Sequence, residues 1–175
     1  MPHELFEHFP LGHTEVAVDT MLGYEKLFFV NRSGVSIPTK YRIVKNTSAT
    51  AVLPKLCYKF DITSLGAGGF GSEVDDLAGD NVAGRPADEN LPAAGAAVGN
   101  MFWLAMDGPA KCVTASATAI AIGDYISTDA AGEVSEEPAV SAAADAYNNL
   151  HSRLGRAMEA VSTDAADILV YLGHP

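Results

Sequence analysis

The sequence predicts a mainly β fold, a small barrel or sandwich-like domain with an extended N-terminal arm and one short helix. Three observations carry that reading. Alanine, glycine, threonine and valine are abundant while leucine, glutamate and lysine are sparse, which favours short strands and turns over a helix bundle. Eight or nine short apolar or alternating runs can be picked out, each bounded by glycine, proline, asparagine or aspartate. The length, 175 residues, fits one domain with an arm and is enough for a core without disulfide or metal.

Residues 1–22 read as the arm. Leu5, Phe6, Phe9 and Leu11 are apolar, but Pro2, Pro10 and Gly12 break any regular element. Such a segment gains order by lying on a neighbour or on its own domain. Residues 23–175 read as one β-rich domain. The stretch 24–46 predicts a hairpin turning at Asn31–Gly34, with its second strand around Tyr41–Lys45. In 51–64, Leu56, Tyr58, Phe60 and Ile62 alternate with Cys57, Lys59, Asp61 and Thr63, which predicts one buried and one wet face. A long acidic loop rich in glycine and proline follows at 66–99. Then come strands at 100–108 and 110–116, separated by a turn at Asp107-Gly108-Pro109. A strand–turn–strand unit spans 118–137, with turns at Gly123-Asp124 and Asp129–Gly132. Residues 139–154 read either as the one helix, with Val140, Ala143, Ala144, Tyr147 and Leu150 on one side, or equally as a loose, alanine-rich excursion. A last hairpin turns at Ser162–Ala166 and ends in the continuous apolar run "ILVYL", as a central strand would.

Gly66, Gly68 and Gly71 spell G-x-G-x-x-G after a predicted strand, the spacing of a dinucleotide site. A phosphate site also needs a helix N-terminus directly after the glycines. The next thirty residues carry Gly79, Gly84, Pro86, Pro92, Gly95 and Gly99 with an excess of acid, which neither sustains a helix nor welcomes a pyrophosphate. The glycines read as loop turns.

No other chemistry stands out. No G-x-S-x-G is present, and Ser72 lies in the acidic loop without a base nearby. The acid pairs Asp75-Asp76, Asp88-Glu89 and Glu136-Glu137 fall in turns or loops, where they point to water. The segment 75–81 lacks the closing glutamate of a calcium loop. His3, His8 and His13 recur at a spacing neither helical nor extended, and His151 lies near Arg153 and Arg156. Cys57 and Cys112 are far apart and belong to no zinc motif; two buried thiols or one disulfide both fit. Trp103 reads as a core or interface aromatic ahead of a ligand platform. The expectation is no enzyme, no cofactor and no metal.

The net charge of −11 argues against nucleic-acid binding. No apolar run is long enough to cross a membrane, and the N-terminal stretch does not read as a signal peptide, which predicts a protein made in a cytoplasm. Residues 1–60 hold seven of the eleven basic residues, among them Arg32, Lys40 and Arg42, against five acids. A solvated acidic surface is the plain reading. The sharper one is a basic side that docks on an acidic partner.

Three glycine-based patterns in residues 80–173 resemble the small capsid decoration (cement) proteins of tailed bacteriophages. Gly84 runs through Leu91-Pro92 to an aromatic strand ending at Gly108. Gly123-Asp124-Tyr125-Ile126 leads to Gly132-Glu133-Val134. Gly155-Arg156-Ala157 precedes a final apolar strand ending at Leu172. Residues 1–60 and the insert at 138–150 lie outside that pattern. The resemblance implies a β-rich, often trimeric protein on the exterior of a mature head, bound to the major capsid protein. On that expectation Leu5, Phe6, Phe9 and Leu11 of the arm, the cations Arg32, Lys40 and Arg42, and the apolar Phe102, Trp103 and Leu104 are the candidate capsid or subunit contacts. The competing expectations are another phage structural subunit of the tail or head-completion type, a small β-barrel enzyme, or a glycan-binding module.

Overall fold

Alternating and continuous apolar runs become eleven strands in a computed structural model of the chain, which describes residues 9–32, 34–62, 71–77, 83–115, 119–139, 151–162 and 167–173. They are β1 (Glu15–Val16), β2 (Glu25–Arg32), β3 (Val35–Asn46), β4 (Cys57–Phe60), β5 (Glu73–Asp75), β6 (Arg85–Pro86), β7 (Asn100–Val113), β8 (Tyr125–Thr128), β9 (Val134–Glu136), β10 (Arg153–Ala157) and β11 (Asp167–Leu172). One sheet runs in the order β6-β4-β5-β3-β7-β11-β10-β8-β9, with β1 on β7 and β2 on β3. The fold is mainly β, as the composition predicts. The sheet does not close into a barrel.

The long strand β7 organises the rest. Its first half pairs with β3, from Met101 opposite Lys45 to Asp107 opposite Lys40. Its second half pairs with β11, from Gly108 opposite Leu172 to Val113 opposite Asp167. The turn expected at Asp107-Gly108-Pro109 is therefore not a turn. The register instead shifts between Lys40 and Tyr41, which face Asp107 and Ala105, so Met106 is an extra residue in a bulge. Gly108 sits just past it at φ +89°, and a Cβ there would lie 2.7 Å from the Pro38 carbonyl oxygen.

Apolar residues on both faces of β3 and β7 explain why "MFWLAM" does not alternate. Tyr41, Ile43, Met101, Trp103 and Ala105 enter one core, together with Ile126, Leu154, Ile168, Val170 and Leu172 from the far end of the sheet. Val44, Phe102 and Leu104 enter a second, with Val52, Tyr58, Val74 and Leu91. The first core thus lies between strands from both ends of one folded sheet.

Local turn chemistry explains the glycine patterns. Gly123 adopts φ +90°, and Asp124 Oδ2 accepts from Ala121 N at 2.8 Å. Asp129 Oδ1 accepts from Ala131 N and Glu133 N, both at 2.9 Å, and closes the turn before β9. Gly155 faces Leu172 in the last hairpin, where a Cβ would lie 2.0 Å from the Tyr171 carbonyl oxygen.

Several expectations need correction. The strand in 51–64 is only Cys57–Phe60. Cys57 and Tyr58 are both buried, in different cores, because β4 lies between β5 and β6; Ile62 is exposed. The region 66–99 is not one surface loop. It supplies β5 and β6 and buries Ser72, Glu73 and Asp88. After Gly71 the chain enters β5, parallel to β3, where a dinucleotide site needs a helix. The helix read at 139–154 lies largely outside the described residues, as do the glycines Gly66 and Gly68. "ILVYL" is central, between β7 and β10, yet its Tyr171 faces solvent.

Candidate interaction surface

The arm residues that are described are part of the domain. Phe9 is 2% exposed. Its carbonyl accepts the Trp103 indole N–H at 3.0 Å, and its ring lies 5.8 Å from that indole. Phe28 lies 5.0 Å from Trp103 and 5.6 Å from Tyr41, and His13 stacks edge-on against Phe9 at 5.0 Å. Leu11 packs half-buried against the same core. Gly12 N donates to Asp88 Oδ2, whose other oxygen accepts from Asn90 N and Nδ2 at 3.0 Å each. Burial raises the Asp88 pKa, against these lowering hydrogen bonds. Further on, β1 pairs with the start of β7. Leu5 and Phe6 lie outside the described residues.

Phe102, Trp103 and Leu104, expected as a subunit contact, have zero exposure inside a single copy of the chain. They fill the two cores and have no surface to offer a partner. Phe9 is likewise a core residue.

The cations do not form a free basic face either. Arg32 Nη1 lies 2.7 Å from Glu89 Oε1, both side chains mostly buried. Lys40 Nζ lies 3.1 Å from Glu25 Oε2, and Arg42 Nε donates to Glu25 Oε1 at 3.0 Å. Those contacts hold the Glu25 carboxyl below its ordinary range, the Arg42 hydrogen bond contributing most. Lys45 pairs with Glu73 at 3.1 Å and Lys55 with Asp167 at 2.6 Å. Five of the seven cations in residues 1–60 are thus paired with acids, and two of those acids, Glu89 and Asp167, come from the second half of the chain.

What the hairpin exposes instead is apolar. Residues opposite each other on antiparallel strands share a face. Phe28 and Val30 turn inward to the first core. Leu27 and Phe29 turn outward, 58% and 72% exposed, with Phe29 opposite the exposed Pro38 and Leu27 opposite Lys40. Glu25 and Arg42 continue the same face. Asn31 Oδ1 accepts from Gly34 N at 3.0 Å and shapes the tip. Among the described residues, β2 pairs only with β3, which leaves its other edge open. The run "LFFV" marks this strand as apolar on both sides. Nothing local in it tells which side the core covers, and so Leu27 and Phe29 are not singled out by sequence.

Other chemistry is thin. A half-open cavity of about 280 Å³ is lined by Leu53, Leu56, Cys57, Tyr58, Asp76 and Leu77 among others. Tyr58 OH there accepts from Leu53 N at 2.8 Å. Among the described residues, no three His, Cys, Asp or Glu side chains gather as a metal site, and no helix is long and apolar enough to cross a membrane.

No family model matches the sequence, and no curated protein does. Among solved structures, the N base of head fiber gp8.5 from bacteriophage phi29 is similar over 76% of this chain and 92% of that one, with a TM-score of 0.46 and 10% identity. Two chains related at that level need share no function.

Proposed function

We propose that the protein is a structural subunit of a bacteriophage particle, a decoration protein that docks on the outside of the mature head and holds neighbouring major-capsid subunits together, as a homotrimer. The glycine patterns of residues 80–173 support the family reading. The observation that carries the docking is the outward face of the β2–β3 hairpin. Leu27, Phe29 and Pro38 form an exposed apolar strip beside an open strand edge, and the ion-paired Lys40, Glu25 and Arg42 border it. An apolar centre with a polar border is the composition of a protein contact. The contact is made by apolar burial, with charge in a secondary role, because the nearby cations already have partners.

The test is co-sedimentation with mature heads stripped of this protein. Wild-type protein pellets saturably, at a fixed ratio to the major capsid protein, with weak dependence on salt. The double variant Leu27→Ser/Phe29→Ser forfeits roughly 2–4 kcal/mol of apolar burial and binds at least about thirtyfold more weakly. Undiminished binding by that variant removes the hairpin from the contact. No binding of wild type to expanded heads removes the decoration reading itself and favours a tail or head-completion part.

A further inference from the structure

Cys57 and Cys112 are separated by 54 residues in sequence and meet in the fold. Cys57 opens β4 and Cys112 lies near the end of β7. Both belong to the first core, at 1% and 0% exposure, and both are free thiols. Their segments are tied by one backbone bond, Val113 N donating to the Lys55 carbonyl at 3.3 Å, while Cys57 N donates elsewhere, to the Gly132 carbonyl at 2.8 Å. The neighbouring Cys57 side chain is the largest influence raising the pKa of the Cys112 thiol. Strands β4 and β7 are not neighbours in the sheet order, so this approach crosses the core rather than following a ladder.

We infer that Cys57 and Cys112 are a latent cross-link: a dithiol that closes to an intrachain disulfide when the protein leaves a reducing compartment. Two features favour it over an inert pair of small core residues. Both side chains enter the same core from segments already joined by the Val113–Lys55 bond, so closure needs no long movement of either strand. Cys57 also lines the half-open cavity of about 280 Å³, which gives a small oxidant a path to one of the two sulfurs.

The oxidant class is a small organic disulfide. Cys57 loses its proton and attacks one sulfur of that disulfide, whose S–S bond breaks to release one thiol. Cys112 then loses its proton and attacks Cys57 Sγ, and the second small thiol leaves. One S–S bond forms in the protein, one is broken in the reagent, and the two protons end on the two released thiols. In the dithiol, the Cys57 side chain and burial push the Cys112 thiol above its ordinary range. The biological setting rests on the proposed virion role: synthesis among reduced thiols, then service in an oxidising exterior. The chemistry itself does not depend on that role.

The experiment treats purified full-length protein with hydroxyethyl disulfide under native conditions, then counts thiols after unfolding and maps peptides. Expected are a loss of both thiols, a Cys57–Cys112 linked peptide, a monomeric band on a non-reducing gel, and a melting temperature raised by roughly 5–15 °C that dithiothreitol reverses. Cys57→Ser and Cys112→Ser each retain one thiol and show no such rise. Two thiols surviving native treatment but not treatment in urea overturn the inference. So do disulfide-linked dimers, or a closed disulfide that lowers the melting temperature. Capsid co-sedimentation is scored separately, so a failed cross-link and a failed decoration role give different results.

Discussion

Replacing Phe9 by alanine tests whether the N-terminal segment belongs to the core. The ring is 2% exposed and packs against the Trp103 indole and the His13 ring. Truncating a buried phenylalanine costs about 3–5 kcal/mol when the site cannot collapse. Here the segment can peel away, which limits the cavity. Peeling, however, still forfeits the burial of the ring, roughly 1.5–3 kcal/mol, and strips the buried Trp103 N–H of its acceptor, the Phe9 carbonyl, at about 1–3 kcal/mol more. Either route therefore loses about 3 kcal/mol or more, and a domain of this size melts about 2–4 °C lower per kcal/mol. The assay is urea unfolding followed by fluorescence, because Trp103 is the sole tryptophan and touches the mutated site. Far-ultraviolet circular dichroism provides a second probe. Expected is a midpoint shift worth about 3–5 kcal/mol with coincident transitions. A loss below about 1 kcal/mol would refute the reasoning and return residues 9–22 to the status of a loose arm. The same variant is unsuitable for probing capsid contact, since it weakens the whole domain.

Other outcomes follow from the same geometry. Gly155→Ala drives a Cβ to 2.0 Å from the Tyr171 carbonyl oxygen and should cost at least about 1–3 kcal/mol by chemical denaturation, whereas Gly34→Ala, at φ +82° in open space, costs about 1 kcal/mol. Glu25 titrates below its ordinary value in the folded state, so its contribution is present above that value and is lost as pH falls through the lowered one. The side chain is about one-third exposed, which limits the effect to about 1 kcal/mol; the stability gap between wild type and Glu25→Gln should close in acid. Asp88 has the opposite sign. Its raised pKa means the folded state favours the neutral acid, so charging Asp88 costs stability as pH rises through the raised value. Asp88→Ala should still destabilise by about 1–3 kcal/mol at any pH, because Gly12 and Asn90 lose their acceptor.

Local signals in this chain were readable and distant pairings were not. The Asn31–Gly34 turn, the Gly123-Asp124 and Asp129–Gly132 turns and the final hairpin all depend on residues within a few positions of each other. Glycine, asparagine and aspartate announce such turns directly. The bulge at Met106 is different: it exists because β3 and β11 both claim β7, and the tripeptide Asp107-Gly108-Pro109 alone reads as a turn. The region 66–99 looks like loop because β5 pairs parallel to β3 and β6 pairs with β4 in ladders only two residues long. The burial of Phe102, Trp103 and Leu104 and the pairing of the cations escape sequence for a related reason. Arg32 finds Glu89, and Lys55 finds Asp167 across 112 positions, so a charge count along the sequence mistakes internal partners for a docking face. Trp103 and its neighbours are apolar enough for an interface, but the second core claims the face that would have met it.

Strand β7 has a consequence for how the molecule opens. Its two halves are bonded to different strands, yet one continuous backbone carries both, and Trp103 and Cys112 on either side of the bulge sit in the same core. Fraying at one half disturbs the packing under the other. Hydrogen exchange should therefore show amides at Ile43, Trp103, Cys112 and Val170 leaving together, in a single slow class set by global unfolding. A partly opened form that keeps one end of the sheet intact has no place on that landscape, and protease attack on the native chain should be confined to its turns and edges.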